Sequence, residues 1–289
     1  MGEARKQITT DEMKQVELNI LKDVAEFCDK HSLRYYLCGG TLLGAIRHKG
    51  FIPWDDDMDI AMPREDYEKF LQTYNQKDRV YRVSAIENNP NWHMPFARVE
   101  DLKTVLYEKT LKEKYRKCHL FVDVFPLDGI PDNHNEERQF MFKQKILGII
   151  INASSFCFFP SKHYSDSKES NVSLKNYIRT FLKYIAILLF SFVNTQTIAR
   201  KINSNAKKYG FGTTKDVGMT VFVWNWTFEK SSFDSFNERM KFQFEDSTFW
   251  GPAGFNEYLT RTYGDYMTPP PPENQVSHHN FEAYYLENV

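Results

Sequence analysis

The chain has 289 residues, of which 42% are hydrophobic and 26% charged, and a formal net charge of -1. That size holds a sizeable core, as one large α/β domain or a domain with an embellishment, and that composition excludes a disordered protein. The balanced charge gives no overall field to draw in a polyanion, so no nucleic-acid partner is expected.

The N-terminus, MGEARKQITTDEMKQ, has no apolar h-region, and Lys6 does not fit a myristoylation signal. Cys28, Cys38, Cys118 and Cys157 are widely spaced with no CxxC pair, which suits reduced core residues of a cytoplasmic protein. Residues 11–30 carry Met13, Val16, Ile20, Val24 and Phe27 at helical steps, with Thr9 and Glu12 at capping-box spacing. Arg34 to Cys38 then reads as a short strand, Gly39-Gly40 as its break, and Thr41 to His48 as a helix. A second strand is predicted near Asp57 to Met62. Pro63 opens a helix in which Tyr67, Phe70, Leu71 and Tyr74 share a face.

Phe96 to Val99 and Thr104 to Tyr107 read as short strands. His119 to Phe125 reads as a buried strand bounded by Pro126 and Asp128-Gly129, with Asp128 a turn residue. Long helical patterns begin near residue 134, and residues 160–175 are polar and turn-rich. The expected organisation is a catalytic core over 1–133, a mainly helical region over 134–249 and an arm over 250–289 packing back on the core. In that arm YGDYMTPPPP suits an extended path. Ile146 to Phe159 and Phe181 to Val193 are very apolar, yet shorter than the ~20 apolar residues that span a bilayer. They read as buried core helices or as a face that docks on a membrane beside Lys175, Arg179, Lys183, Arg200 and Lys201.

The chemistry concentrates in YYLCGGTLLGAIRHKGFIPWDDDMDIAM, residues 35–62. Strand, two glycines and a helix start form a turn at which phosphate meets free backbone N–H groups. In an extended segment Asp57 and Asp59 share one face, while Met58 and Ile60 enter the core. Two carboxylates so close repel unless a cation lies between them, which fits Mg²⁺ or Mn²⁺. Asp123 sits in FVDVF, where burial demands either that cation or an Arg or Lys partner. Arg47, His48 and Lys49 suit phosphate neutralisation or a helix C-terminus equally. Trp54 walls the site or stacks on a base.

RHKGFIPWDDDMDI followed by FVDVFPLDGIP resembles the LicD family, which includes the fukutin-type transferases. The ending YGDYMTPPPP with His278 and His279 is similar to the end of those proteins. The resemblance implies a nucleotidyltransferase-like α/β (α+β) fold, a mixed sheet flanked by helices with a largely helical C-terminal part. It implies transfer of phosphocholine from CDP-choline, or use of a related CDP-alcohol donor, with a sugar hydroxyl of a lipid-linked glycan as acceptor; a first alternative is a transferase on the same fold that moves phosphoethanolamine, a polyol phosphate or a nucleotide. Asp57, Asp59 and Asp123 would hold the metal and act in catalysis, with Asp123 as base. Gly39, Gly40 and Thr41 would hold phosphate oxygens. Trp224, Trp226 and Trp250 are candidates for an aromatic cage around choline. The competing reading is a non-catalytic glycan- or nucleotide-binding module.

Overall fold

The first helix, α1 (Thr10–Lys30), begins on the capping box that its sequence announces. Thr9 Oγ1 accepts from the Glu12 N–H at 3.3 Å, and the Glu12 carboxylate accepts from the Thr9 N–H at 2.9 Å. The structure, a computed structural model, describes residues 6–75, 79–157, 174–222, 229–277 and 281–286. His278, His279, Trp224, Trp226 and most of the polar 160–175 segment lie outside those residues.

β1 (Tyr36–Leu37), α2 (Gly39–Arg47), β2 (Asp59–Pro63) and α3 (Arg64–Thr73) follow. The two glycines do not break the chain before the helix; they form its first turn. Pro63 caps α3, whose Tyr67, Phe70 and Leu71 are buried as the periodicity requires. After β3 (Tyr81–Ser84), the two short strands expected between 96 and 107 are one strand, β4 (Ala97–Glu108). Its register shifts between Asp101 and Leu106. There Asp101 accepts from the Lys103 N–H at 2.9 Å and Thr104 bonds back to the Asp101 carbonyl at 2.8 Å. That polar bulge interrupts the apolar pattern without ending the strand.

α4 (Glu113–Arg116) leads into β5 (Lys117–Ile130), which runs through Pro126 rather than stopping there. The assignment of Asp128 to a turn is thereby corrected. Asp128 is fully buried in β5 and accepts from Arg64 Nε at 2.7 Å and Nη2 at 2.5 Å. A bidentate guanidinium meets its charge, so the strand can continue.

The main sheet runs β1-β2-β5-β4-β10, where β10 is Phe281–Tyr285. Only β2 and β5 pair in parallel among these neighbours; β1–β2, β4–β5 and β4–β10 are antiparallel. β6 (Asp216–Gly218) continues the sheet from the end of β5, and β7 (Lys230–Ser232) pairs with β6. α1 and α3 pack on these strands. The result is the expected mixed sheet flanked by helices.

Residues 134–206 supply α5 (His134–Ser155), α6 (Leu174–Phe190) and α7 (Thr195–Ala206). Buried Gln144 of α5 donates to the carbonyls of Ile202 at 3.2 Å and Thr220 at 2.9 Å, tying this helical part to the sheet. Beyond them lie α8 (Phe233–Asn237), the hairpin β8 (Arg239–Phe244) and β9 (Ser247–Pro252), and α9 (Phe255–Tyr263). β10 returns the chain end to the free edge of β4. Cys28 and Cys38 are buried thiols, and Cys157 Sγ donates to the Thr110 carbonyl at 3.1 Å.

Candidate active site

The site is built around the first turn of α2. Gly39 has φ +53°, a left-handed value that glycine adopts without strain. A Cβ there would lie 3.2 Å from Asp59 Oδ2, and one on Gly40 only 2.5 Å from Asp55 Oδ2. The glycines thus make room for two carboxylates as well as shaping the turn. Thr41 Oγ1 accepts the Asp59 N–H at 2.8 Å and holds the start of β2 against the helix. The Gly39 N–H is committed to Tyr258 Oη at 2.9 Å. Gly40 and Thr41 sit in the first helical turn, where amides have no intrahelical acceptor.

The acidic run enters β2 from a loop, and strand pairing starts only at Asp59. The alternation nevertheless holds. Met58 and Ile60 are fully buried, while Asp57 and Asp59 are partly open on the other side. Carboxylate oxygens of Asp55, Asp56 and Asp57 lie within 4.8 Å of one another. Asp56 is also buried and accepts from Ser277 Oγ of the C-terminal arm at 2.5 Å.

Asp59 and Asp123 are register partners on parallel β2 and β5, and Asp123 is also opposite Arg98 on β4. Three charged side chains therefore form a row across three strands. Arg98 Nε donates to Asp123 Oδ1 at 2.7 Å with both groups buried, so the cation partner left open by the sequence is Arg98. Its guanidinium carbon stands 3.5 Å from the centroid of the Phe121 ring. Burial, with the charges of Asp57, Asp123 and Glu229 added, raises the proton affinity of Asp59 well above that of an ordinary carboxylate.

Residues from other parts of the chain, none of them assigned to the site from sequence, complete the surroundings. Glu229 accepts from the Tyr258 hydroxyl, and its carboxyl is shifted upward by burial. The Tyr263 hydroxyl comes within 3.9 Å of where a Gly39 Cβ would stand. From α1, Glu17 is buried with Oε2 lacking a hydrogen-bond partner. Burial first, then Asp57, Asp56 and Asp55, raise its proton affinity strongly. The only sequence signal for any of these was the YGDY motif around Tyr263.

Arg47 and His48 end α2 and cluster with Trp54: the Arg47 guanidinium lies 6.0 Å and the His48 ring 6.2 Å from the indole centroid. Arg47 Nη1 donates to the Tyr266 carbonyl at 2.8 Å, and His48 is harder to protonate because of burial and the Arg47 charge. Lys49 is exposed in a turn at φ +60°. Trp250 is engaged elsewhere, donating to Asp29 at 2.9 Å beneath Arg239 and Lys241.

The carboxylates fit a hard divalent cation. Oxygen donors converge from Asp55 to Asp57, Asp59 stands beside them at high electrostatic cost, and an orphaned buried oxygen of Glu17 borders them. The tight grouping is Asp55–Asp57, while Asp59 and Asp123 are on adjoining strands and Asp123 is anchored by Arg98.

Residues 32–164 match the family model for the LicD/FKTN/FKRP nucleotidyltransferase domain. The lipopolysaccharide cholinephosphotransferase LicD of Haemophilus influenzae is 31% identical over 284 residues, covering 97% of this chain and 100% of that protein. The chain belongs to the LicD family. The family likeness reaches the mammalian ribitol 5-phosphate transferase FKRP of Mus musculus and Homo sapiens, 42% identical over 53 residues, 17% of this chain and 11% of FKRP. LicD membership makes this a transferase, and it joins the α2 turn, the acidic run and the Asp123 strand in one matched segment.

Proposed function

We propose that the protein transfers phosphocholine from CDP-choline to a sugar hydroxyl of a cell-surface glycan precursor, such as a teichoic acid, lipopolysaccharide or capsule unit, releasing CMP. One observation carries this reading: a whole-chain match to a cholinephosphotransferase, with an acidic cluster seated on the glycine turn of the matched segment.

Asp57, Asp59 and Asp123 are proposed to hold Mg²⁺ or Mn²⁺, with Asp55 at the edge of the set. The ion would neutralise charge on the diphosphate and on the leaving CMP. The residues themselves bind and orient. The amides of Gly40 and Thr41 offer donors to a phosphoryl oxygen at the positive end of α2. Arg98 anchors Asp123 at one oxygen, which fixes the orientation of that carboxylate. The acceptor for the proton of the attacking hydroxyl is proposed to be Asp123, as the resemblance implies. The short FKRP match favours a second reading, transfer of a polyol phosphate from its CDP derivative. The fold is read as nucleotidyltransferase-like, and the work is placed in the cytoplasm at the inner face of the membrane, where a lipid-linked acceptor would lie.

CMP release should be followed with CDP-choline, CDP-ethanolamine and CDP-ribitol in parallel, with Mg²⁺ and an acceptor extract. The expected result is preference for CDP-choline. Preference for CDP-ribitol would replace this reading by the second.

A further inference from the structure

α6 carries an amphipathic stripe that faces outward. Ile178, Phe181, Leu182, Leu188 and Leu189 recur at helical spacing, and each is more than half exposed. On α5, which packs against α6, Phe142, Ile146 and Ile149 form a second exposed row at steps of four and three. Phe192, just beyond α6, is 81% exposed. Nine of the fifteen large exposed hydrophobic residues among the described residues therefore lie in this one region. An apolar concentration of this kind marks an interaction surface.

Along the stretches that carry it the charge has one sign, while the acids of α5, Glu136 and Glu137, lie in its first turn, before the exposed row. Residues 138–157 contain three Lys or Arg and no carboxylate, and residues 174–215 contain eight and no carboxylate, in a chain whose net charge is -1. Lys143, Lys183, Arg200 and Lys201 are exposed there, while the side chains of Lys175 and Arg179 are outside the described ones. A second copy of the chain would set cations against cations on this face. Among the described residues no single helix is long and apolar enough to cross a membrane, and α6 meets α7 at a bend of 102°. A segment too short to span, apolar on one side and basic around it, matches the interface of an anionic bilayer.

We propose that the exposed α5–α6 face, with Phe192, docks the protein onto anionic lipid bilayers. The purpose of this docking, reach to a lipid-linked acceptor, rests on the proposed transferase function; the docking itself is testable apart from it. The full chain should be floated with vesicles of phosphatidylcholine alone and of phosphatidylcholine with phosphatidylglycerol. Recovery with the anionic vesicles, reduced by salt, is expected, and little with phosphatidylcholine alone. Phe181→Ser with Phe192→Ser, and separately Lys143→Glu with Lys183→Glu, should each lower vesicle partition more than tenfold. The charge-reversal pair alters only exposed positions, so it stands if the serine pair misfolds. CMP release from soluble CDP-choline should be unchanged in variants that no longer float, which separates loss of docking from loss of the enzyme. Equal flotation of wild type and variants, no wild-type flotation, or concentration-dependent dimerisation abolished by the same substitutions would overturn the proposal.

Discussion

Arg98 on β4 and Asp123 on β5 are direct cross-strand partners, joined at 2.7 Å with both side chains buried. Removing one member strands the other's charge in the interior. Arg98→Met should therefore lower the unfolding free energy by about 3–5 kcal/mol in metal-free buffer. The double variant Arg98→Met with Asp123→Asn should recover much of that loss, because no unpaired charge remains. Denaturant unfolding of the three proteins measures both effects.

Gly40 and Asp55 are too close for any larger residue to keep both in place, since an added Cβ would stand 2.5 Å from Asp55 Oδ2. Gly40→Ala should cost little stability, because alanine gains up to about 1 kcal/mol over glycine inside a helix. Turnover should fall roughly tenfold or more as the carboxylate is pushed aside, an effect of about 1.4 kcal/mol on the barrier. Steady-state kinetics beside thermal unfolding separates the two outcomes.

Tyr258 links the Gly39 amide to Glu229 through one hydroxyl. Tyr258→Phe leaves both groups buried without that partner, at an expected cost of about 1–3 kcal/mol. The amide of Gly39 should also exchange faster with solvent deuterium. Unchanged exchange there would show that the hydroxyl does not hold the turn.

Glu17 gives a pH-dependent test. Its folded-state proton affinity is raised above the ordinary 4.5 by burial and by Asp57, Asp56 and Asp55. The folded state thus holds the proton more tightly than the unfolded chain. The associated stability is complete below about pH 4.5 and is lost as pH rises through the folded value. In EDTA, Glu17→Gln should lack this decline, and by pH 8 it should be more stable than wild type by at least about 1 kcal/mol. A stability difference constant across pH would contradict the assignment.

Much of this was legible in the sequence because it is local. The capping box of α1, the buried face of α3, and Met58 and Ile60 pointing inward beside Asp57 and Asp59 all follow from spacing within one element. Reading failed where a distant partner decides. Asp128 looks like a turn residue until Arg64 is seen to satisfy it, and β5 then runs on. β4 looks like two strands because Asp101 and Thr104 build a polar bulge within it. Glu229, Tyr258 and Glu17 reach the site across the fold from segments without a local motif. The tight carboxylate group, Asp55–Asp57, is shifted toward the loop relative to the set expected from strand alternation, because pairing begins only at Asp59.

The central claim is that the carboxylates beside the α2 turn support metal-dependent transfer. The most direct measurement is CMP formation from CDP-choline and acceptor, with and without Mg²⁺, for wild type, Asp57→Asn and Asp59→Asn, each checked for folding by circular dichroism. The expected result is CMP formation only with metal and a loss of roughly a hundredfold or more in both folded variants. Wild-type rates in either variant, or equal rates in EDTA, would contradict it.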